Sequence, residues 1–322
     1  MNPKITVVEA ASVLSVTTQA VFKKIKTKSL HHKKTQNKAY FNHTAAKEIF
    51  GFNFKPKMIT TQIVKGGTGK TAITQGVAIR AALYGARVLC LDLDQQANLT
   101  QSFGINVNEI TSAAIIDVLK GKTELPENLL EPVEGVHLLP SKIDNALLED
   151  FLMVESFPID RVYKDLLEPI RDQYDLIIID CPPALGRSVT AAALISDYVI
   201  APVTPEKSSL TGLDITNNAL KEASKKYKKK IHLRVIQNKF DFRTTLSHQV
   251  LTYLLEHSAY KECIFRSYIR QSQEFPNTFY KHMSIFDSIK FSTAKEDIDL
   301  LTREILEIPL TNQQITKDDE NA

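Results

Sequence analysis

Residues 63–74 read IVKGGTGKTAIT, and they join an apolar run to a segment with helical spacing. Glycines at such a junction let backbone N–H groups turn inward around an anion, and the following helix N-terminus adds positive potential. Lys70 can then reach the β and γ phosphates of a nucleotide, while the Thr71 hydroxyl can bind Mg²⁺. The stretch predicts a phosphate-binding loop, and it raises the question of what the additional lysine, Lys65, does.

The loop departs from the common pattern of such loops, which is GxxxxGK followed by Ser or Thr. That pattern would require glycine at position 64, where this chain has Val64. The match is therefore to a variant loop. A glycine turn that merely joins a strand to a helix is the structural alternative.

From residue 58 onward, short apolar runs alternate with helical segments. Six runs are predicted as strands, at residues 58–64, 87–94, 136–140, 175–180, 198–203 and 233–240. Several of them are apolar on both faces, which is the pattern of a parallel sheet covered by helices on both sides. The helix at 71–85 ends in Gly85, which suits a left-handed cap. We therefore predict an α/β fold with a mostly parallel, twisted sheet over residues 56–310.

Carboxylates stand at the ends of two predicted strands. DLIIIDCPP, residues 175–183, places Asp180 at the end of an apolar run, and VLCLDLDQQANLT, residues 88–100, places Asp92 and Asp94 on one strand face. Two acids there are costly unless a cation or a water network receives them. An Asp that ends a strand can also be a simple turn former.

The positive charge is concentrated at the N-terminus. Residues 1–58 carry a net charge of +9, with Glu9 and Glu48 as their acids, whereas the remainder carries −6. Such a block usually indicates a polyanionic partner, although a solubilising basic segment is the alternative.

No apolar run in the sequence approaches the ~20 residues that span a bilayer, and no export signal is apparent.

Residues 1–55 are predicted to form a small helical unit, with Thr6 and Thr17 as candidate N-caps. Its expected elements are a helix at 5–15, a second helix at 16–28, a β wing at 31–41 that turns at Asn37, a third helix at 43–52 and a linker at 54–57. The polar residues 311–322 are expected to form a flexible tail.

The motifs KGGTGKT, DLDQQANLT, DCPP and NKFDFRT occur in this order along the chain. Together they resemble the ParA-type partition ATPases, which belong to the deviant Walker A superfamily with MinD and the nitrogenase iron protein. The similarity covers about residues 58–308. It implies a P-loop NTPase fold, ATP or ADP and Mg²⁺ as cofactors, and a homodimer that sandwiches nucleotide between its two subunits.

The resemblance implies a role for each residue of these motifs. Lys65 would cross the dimer interface to the partner's phosphates, while Lys70 would serve the nucleotide of its own subunit. Asp94 would orient the attacking water and lie near Mg²⁺, which Thr71 and, through water, Asp180 would hold. The phosphate cradle and its flank would consist of Gly66, Gly67, Thr68, Gly69 and Ala72. Asp92 would be a supporting acid.

NKFD, residues 238–241, raises a competing interpretation, because Asn-Lys-x-Asp is how many GTPases read guanine. In the partition family a similar strand end precedes an Asp-x-Arg-Thr run, which Asp241, Arg243 and Thr244 match here. We therefore expect ATP, with Asn238 near the adenine.

Two arginines are candidates for DNA binding. Arg243 matches a family position that binds DNA without regard to sequence, through phosphate contacts. Arg270 is a second candidate on a shifted alignment. For either arginine, a solvated surface charge is the alternative.

The N-terminal unit resembles the winged helix-turn-helix of MerR-type regulators. This resemblance implies that the second helix enters a major groove while wing lysines contact phosphates. The residues that would contact DNA are Thr17, Thr18, Gln19, Lys23 and Lys24 on the helix, and Lys33, Lys34 and Lys38 on the wing. A basic extension that serves dimerisation is the alternative.

The predicted function is ATP-dependent DNA partitioning by a Mg²⁺-dependent ATP hydrolase. The protein would bind non-specific DNA, respond to a ParB-like centromere-binding protein, repress its own operon at operator DNA, and reside in the cytoplasm on the nucleoid. A nucleotide-sensing transcriptional regulator with incidental hydrolysis is one alternative. A MinD-like positioning ATPase is another, but residues 315–322 are acidic and polar, so no membrane contact is expected. An iron–sulfur reductase would need paired cysteines, and Cys90, Cys181 and Cys263 are isolated.

Overall fold

The computed structural model describes residues 1–35 and 38–310 of the 322-residue chain. Its strands, in chain order, are β1 (Ile5–Thr6), β2 (Lys33–Thr35), β3 (Lys38–Phe41), β4 (Lys57–Thr61), β5 (Val88–Asp92), β6 (Leu130–Val133), β7 (Val136–Leu139), β8 (Leu176–Asp180), β9 (Tyr198–Val203), β10 (Leu233–Phe240) and β11 (Ile264–Arg270). The predicted wing turn at Asn37 and the predicted tail at 311–322 lie outside the described residues.

The described residues also form thirteen α-helices. They are α1 (Val7–Val13), α2 (Thr18–Thr27), α3 (His43–Phe50), α4 (Lys70–Leu83), α5 (Asn98–Ser102), α6 (Ile115–Leu119), α7 (Leu148–Val154), α8 (Val162–Leu167), α9 (Arg187–Ile195), α10 (Lys207–Tyr227), α11 (Thr245–Glu256), α12 (Glu274–Tyr280) and α13 (Thr293–Leu306). Short 3₁₀ turns lie at Pro126–Asn128, Ile143–Leu147, Arg171–Gln173 and Ile285–Asp287.

The main sheet has eight strands in the order β11-β10-β9-β4-β8-β5-β7-β6. Every neighbouring pair is parallel except β6 and β7. Alternate residues of a strand face opposite layers. On β8, Ile178 packs into the layer that contains α4 and α13, whereas Ile177 and Ile179 pack into the layer that contains α7, α8 and α9. The predicted parallel sheet with helices on both faces is confirmed.

All six strands predicted in the main sheet are present, but its two edge strands, β6 and β11, were not predicted. β6 contains Pro132 and is antiparallel, and β11 contains Arg266 and Arg270. Edge strands need only one protected side, and they commonly carry proline or charge. The apolar run that marks a central strand is therefore missing from both sequences.

The N-terminal unit consists of three helices and a second sheet in the order β1-β3-β2, with both pairs antiparallel. Thr6 caps α1 by accepting a hydrogen bond from the Glu9 backbone N–H, and the Glu9 carboxylate accepts one from the Thr6 backbone N–H. Thr17 caps α2 by accepting from the Ala20 N–H. The predicted helices, wing strands and both N-caps are confirmed.

Aromatic rings join the N-terminal unit to the main body. Phe50 and Phe52 stack on each other, and both make edge contacts with Tyr84, which follows α4 and is fully buried. Phe54, in the segment predicted as a linker, packs edge-on against Phe52. The apolar residues of α1 and α3 therefore belong to the same buried layer as those of α4 and α13.

A buried cluster of charges lies beside these rings. Arg80 of α4 donates from Nε to Asp299 of α13 at 2.5 Å, and Arg303 donates to the Tyr84 hydroxyl at 2.8 Å. Arg80 Nη1 also lies 3.8 Å from the Glu9 carboxylate of α1. Burial raises the pKa of Asp299, but the neighbouring charges of Arg80 and Arg303 lower it further, so the pKa lies below its usual range. The cluster connects α1, α4 and α13 through paired charges.

Gly85 of the main body lies against the backbone of α3. It follows α4 at φ +91°, and a Cβ added there would lie 2.5 Å from Lys47 Cα and 2.8 Å from Lys47 N on α3. Both the backbone conformation and the space therefore require glycine. Gly51, which ends α3 at φ +63°, has no atom within 4 Å of an added Cβ.

We expect Gly85→Ala to lower the free energy of unfolding by about 2–4 kcal/mol, since left-handed strain adds to a backbone collision with α3. Gly51→Ala should cost only the strain, about 1 kcal/mol. Equilibrium urea unfolding of the two variants measures the difference. Equal losses would show that α3 does not press against Gly85.

Candidate functional site

Three adjacent strands of the main sheet end at the phosphate-binding loop. β4 leads into residues 62–69, β8 ends at Asp180, and β5 ends at Asp92. The register pairs Thr61 with Asp180 and Asp180 with Asp92. Because the carboxyl ends of parallel strands lie at one edge of the sheet, the loop and the predicted acids are brought together.

Asp180 is the buried acid nearest to the loop. Its Oδ2 accepts a hydrogen bond from the Thr71 hydroxyl at 2.8 Å, and its Oδ1 accepts one from the Thr74 hydroxyl at 3.2 Å. Burial raises the pKa of Asp180 to about 6, while the Thr71 hydroxyl and the charge of Lys70 lower it. Lys70 is itself buried, which lowers its pKa, whereas Asp180 and Asp94 raise it. The site is a dry cluster of opposite charges.

Asp92 supports the segment that follows β5. Its carboxylate accepts hydrogen bonds from the Thr100 N–H at 2.9 Å, the Thr100 hydroxyl at 2.7 Å and the Asp94 N–H at 3.2 Å. Burial and the neighbouring charge of Asp180 raise the pKa of Asp92 to about 8, and the Thr100 and Asp94 donors oppose that rise. All of these donors come from the segment that follows β5, so Asp92 holds that segment against the end of the strand.

Asp94 begins a tight turn at the mouth of the site and is 7% exposed. Its Oδ1 accepts a hydrogen bond from the Gln96 N–H, and its carbonyl accepts one from the Ala97 N–H. Gln95 is exposed in this turn. The side chain and the backbone carbonyl of Asp94 thus both accept hydrogen bonds that stabilise the turn.

The predicted phosphate cradle is an irregular loop ahead of α4. Gly67 and Gly69 have φ of +75° and +91°, and Gly66 and Gly67 are exposed. Thr68 is buried, and its hydroxyl contacts the Lys65 carbonyl at 3.5 Å. Ala72 lies half-buried in the first turn of α4. The helix N-terminus is therefore open towards the loop, as an anion site requires.

The end of β10 holds the loop from the other side. Asn238 is buried and donates from Nδ2 to the Thr68 carbonyl at 2.6 Å, while Lys239 Nζ donates to the Gly67 carbonyl at 2.8 Å. A Cβ at Gly69 would lie 2.2 Å from Asn238 Nδ2. Sequence analysis expects Asn238 near the adenine, and the structure gives its amide a contact with the loop backbone.

Asp241 and Arg243 form a local ion pair beyond β10. Asp241 Oδ1 accepts hydrogen bonds from Arg243 N–H and Nε, both at 2.9 Å, and Oδ2 accepts from Nη2 at 2.7 Å. Hydrogen bonding to Arg243 lowers the pKa of Asp241 to about 2. The Arg243 side chain is 87% exposed, so the pair lies at the surface.

Lys65 lies apart from Lys70. Its Cβ is 2.9 Å from where a Cβ on Gly212 of α10 would lie, and its Nζ is 4.0 Å from the Glu206 carboxylate ahead of that helix. The Lys65 side chain is 38% exposed. One lysine of the loop is thus buried beside Asp180, and the other runs along α10 towards the surface.

Arg270, a predicted DNA contact, is ion-paired in the structure. Its Nη2 pairs with Glu296 at 2.7 Å and its Nε donates to Asp297 at 2.9 Å. Both carboxylates belong to α13, and Asp297 is buried. Arg270 therefore fastens β11 to α13, and its contact with DNA stays a prediction.

The candidate DNA residues of the N-terminal unit differ in their exposure. Gln19, Lys23, Lys33, Lys34 and Lys38 are exposed, and Thr18 is half-buried. Thr17 is exposed, with its hydroxyl engaged as the N-cap of α2. Lys24 is half-buried, and its Nζ donates to the Ile49 carbonyl at the end of α3 at 2.6 Å, so its contact with DNA stays a prediction. Lys24 therefore fastens α2 to α3.

Sequence analysis missed three residues that shape the site, namely Thr74, Thr100 and Lys239. Thr74 follows Thr71 by one helical turn, and this spacing on the face towards Asp180 was a usable signal. Thr100 reaches Asp92 only because α5 folds back, and Lys239 reaches Gly67 only because its backbone is left-handed, at φ +56°. No sequence spacing indicates those two contacts.

Nowhere in residues 1–35 and 38–310 do three or more His, Cys, Asp or Glu side chains gather in a way that could hold a metal ion. None of the helices in the same ranges combines the length and the apolar character needed to cross a membrane.

Comparison with known proteins identifies the family. A family model described as an AAA domain matches residues 56–233. The virulence plasmid ParA family protein pGP5-D of Chlamydia trachomatis is 32% identical over 248 residues, which cover 76% of this chain and 91% of that protein. The chromosome-partitioning ATPase Soj of Thermus thermophilus is 31% identical over 205 residues, which cover 63% of this chain and 77% of that protein.

A solved structure supports the fold. Cobyrinic acid a,c-diamide synthase from Mycobacterium smegmatis, crystallised with an ATP analogue and magnesium, matches with a TM-score of 0.66 at 24% identity. The match covers 78% of this chain and 94% of that one. Loop, strand order and sequence relatives agree, and the chain therefore belongs to the ParA family of P-loop ATPases.

Proposed function

We propose that this protein is a DNA-partitioning ATPase that works through cycles of ATP binding and hydrolysis. The observation that carries the proposal is the convergence of four side chains, Lys70, Thr71, Asp94 and Asp180, at one edge of a parallel sheet beside a glycine loop. Such an edge is where P-loop proteins position phosphates. Among its relatives, the Soj protein of Thermus thermophilus is a chromosome-partitioning ATPase.

ATP and Mg²⁺ are the proposed cofactors. Thr71 Oγ1 and Asp180 Oδ2 lie 2.8 Å apart, and both are the hard oxygen donors that Mg²⁺ prefers beside nucleotide phosphates. The chemistry that the cation supplies is neutralisation of phosphate charge. Lys70 and the N–H groups of residues 66–69 would bind the phosphates. The similar synthase structure, which contains an ATP analogue and magnesium, supports this choice.

The proposed active form is a homodimer that closes over two nucleotides. Lys65 supports this form because its ammonium lies near the surface beside α10, where it can meet a second subunit, while Lys70 is buried in its own site. A lysine donated across the interface to the partner's phosphates would make dimer formation depend on bound nucleotide. Asp94, at the mouth of the site, would orient the attacking water as the subunits close.

DNA is the proposed binding partner of the protein during partitioning. Arg243 is exposed and forms phosphate-type contacts readily, because a guanidinium presents several donors in a plane. In the N-terminal unit, Lys23, Lys33, Lys34 and Lys38 are exposed and lie in a segment of high positive charge. Arg243 would bind any DNA, and the N-terminal unit would bind operator DNA in the manner of a winged helix-turn-helix.

A ParB-like protein bound to centromere DNA is the proposed activator, and the dimer would reside on the nucleoid between cycles. The alternative is a regulator for which nucleotide is only a sensed ligand. The two functions differ in the expected rate of ATP hydrolysis. A partition protein should hydrolyse ATP slowly alone and several-fold faster with DNA and its activator.

We expect Asp94→Ala to lower the ATP turnover rate by about a hundred-fold, because a water-orienting carboxylate typically contributes that much. ATP affinity should change little, since the Asp94 carboxylate accepts its hydrogen bond from the Gln96 N–H of its own turn. A coupled phosphate-release assay and equilibrium dialysis measure the two effects. Absence of turnover in the unmutated protein, with DNA and the activator present, would favour the regulator instead.

Lys65→Ala and Lys70→Ala should separate dimer formation from nucleotide binding. We expect Lys65→Ala to leave ATP affinity within about two-fold and to abolish ATP-dependent dimers, because its charge serves the second subunit. Lys70→Ala should weaken ATP binding by ten-fold or more, since a buried partner of the phosphates is lost. Calorimetry and sedimentation velocity provide the readouts. Normal dimers and normal hydrolysis in Lys65→Ala would contradict the sandwich.

The double variant Lys33→Ala/Lys34→Ala should weaken DNA binding through lost phosphate contacts. Each lost contact lowers the slope of log affinity against log salt by about 0.9, so a decrease of nearly 2 is expected. Lys28→Ala is the control, because that lysine pairs with Glu48. Fluorescence anisotropy with duplex DNA across a salt series measures the slope. An unchanged slope in the double variant would exclude the wing as a phosphate contact.

A further inference from the structure

The segment NKFD, residues 238–241, contacts the phosphate-binding loop although the proposed ATPase chemistry does not use it. Asn238 donates to the Thr68 carbonyl, and Lys239 donates to the Gly67 carbonyl. The Lys239 side chain therefore spans the gap from the end of β10 to the loop, and Asp241 follows directly. A nucleotide whose phosphates bind the loop would have these residues along one side.

A free carboxylate beside a purine distinguishes the two common bases. Guanine presents its N1–H and its exocyclic amine on the same edge, so the two oxygens of one carboxylate can accept both hydrogen bonds. Adenine presents an unprotonated N1 at that position, and its lone pair repels a carboxylate. Asparagine, lysine and aspartate in this order thus form a set that would favour guanine, and yet the chain belongs to a family that includes ATPases.

Asp241 is not a free carboxylate in this protein. The Arg243 backbone N–H and Nε occupy its Oδ1, and Arg243 Nη2 occupies its Oδ2. The arginine also adds a positive charge beside the carboxylate, and that charge opposes the approach of the two N–H donors of guanine. The pairing is local in sequence and exposed, with 87% of the Arg243 side chain accessible. A surface pair of this kind is weak enough to be displaced, so it would reduce guanine binding without abolishing it.

We propose that residues 238–241 form a latent guanine-binding site, and that Arg243 sets the base preference of the nucleotide site by occupying the Asp241 carboxylate. Arg243 is thus a specificity-determining residue, and removing it gives guanine nucleotides access to Asp241. This inference rests on the proposed function, because it needs a nucleotide on the loop. It goes beyond that function, since the same arginine is proposed to contact DNA.

The test compares the affinities of ADP and GDP, with Mg²⁺ present, for the full chain by calorimetry. Diphosphates avoid hydrolysis during the measurement. We expect Arg243→Ala to tighten GDP binding about five-fold, the factor that corresponds to the upper range of a surface ion pair, and to leave ADP binding within two-fold. The ratio of the two affinities is the readout, because a general change in the site would move both.

Two further variants complete the design. Asp241→Asn combined with Arg243→Ala should lose the gain for GDP, since the amide offers one acceptor in place of two. Arg266→Ala removes an exposed arginine from the neighbouring strand β11 and should not change the ratio. Equal shifts for ADP and GDP, or a gain that survives Asp241→Asn, would overturn the inference while leaving the proposed function standing. Failure of the unmutated chain to bind either nucleotide would overturn both.

Discussion

A carboxylate with almost no access to water must find its partners inside the protein, and this constraint on Asp180 organises the site. The hydroxyls of Thr71 and Thr74 and the charge of Lys70 all come from the first turns of α4. Because Asp180 ends β8 beside β4, these bonds fix the start of α4 against the sheet and thereby set the shape of the glycine loop. An acid placed one residue earlier or later would face the opposite layer and leave the helix start unsupported.

The loop is held from two sides that have different chemistry. On one side are the buried acids, and on the other are amide and ammonium donors from the end of β10. The surface beyond β10 then carries Arg243, which is close in sequence to the residues that hold the loop. Contacts that Arg243 makes with an outside partner must compete with its bonds to Asp241, because the same N–H groups serve both. Only three residues therefore separate Lys239, which contacts the loop, from Arg243 at the outer surface.

Sequence patterns predicted the fold and the central residues of the site because those features are local. A glycine loop between a strand and a helix, and acids at strand ends, are visible without knowledge of the tertiary structure. The six central strands were found for the same reason, whereas β6 and β11 lack the apolar run that marks such strands.

Arg270 and Lys24 were predicted to contact DNA because a sequence shows which side chains are charged but not which partners they have. Their carboxylate and carbonyl acceptors come from distant parts of the chain. The cluster of Arg80, Tyr84, Asp299 and Arg303 was missed on the same ground, since its two pairs, one on each of two helices far apart in sequence, meet only in the folded protein.

The contacts of the Tyr84 ring determine whether the N-terminal unit could be removed or replaced. Phe50 and Phe52 cover that ring, and Glu9 approaches the buried guanidinium of Arg80. A chain cut after residue 55 would expose an aromatic surface and open a charged cavity to water, so truncation would leave a body that tends to aggregate. The first fifty residues are consequently not an interchangeable module. Grafting another N-terminal unit onto this body would require a matching apolar face and an acid near Arg80.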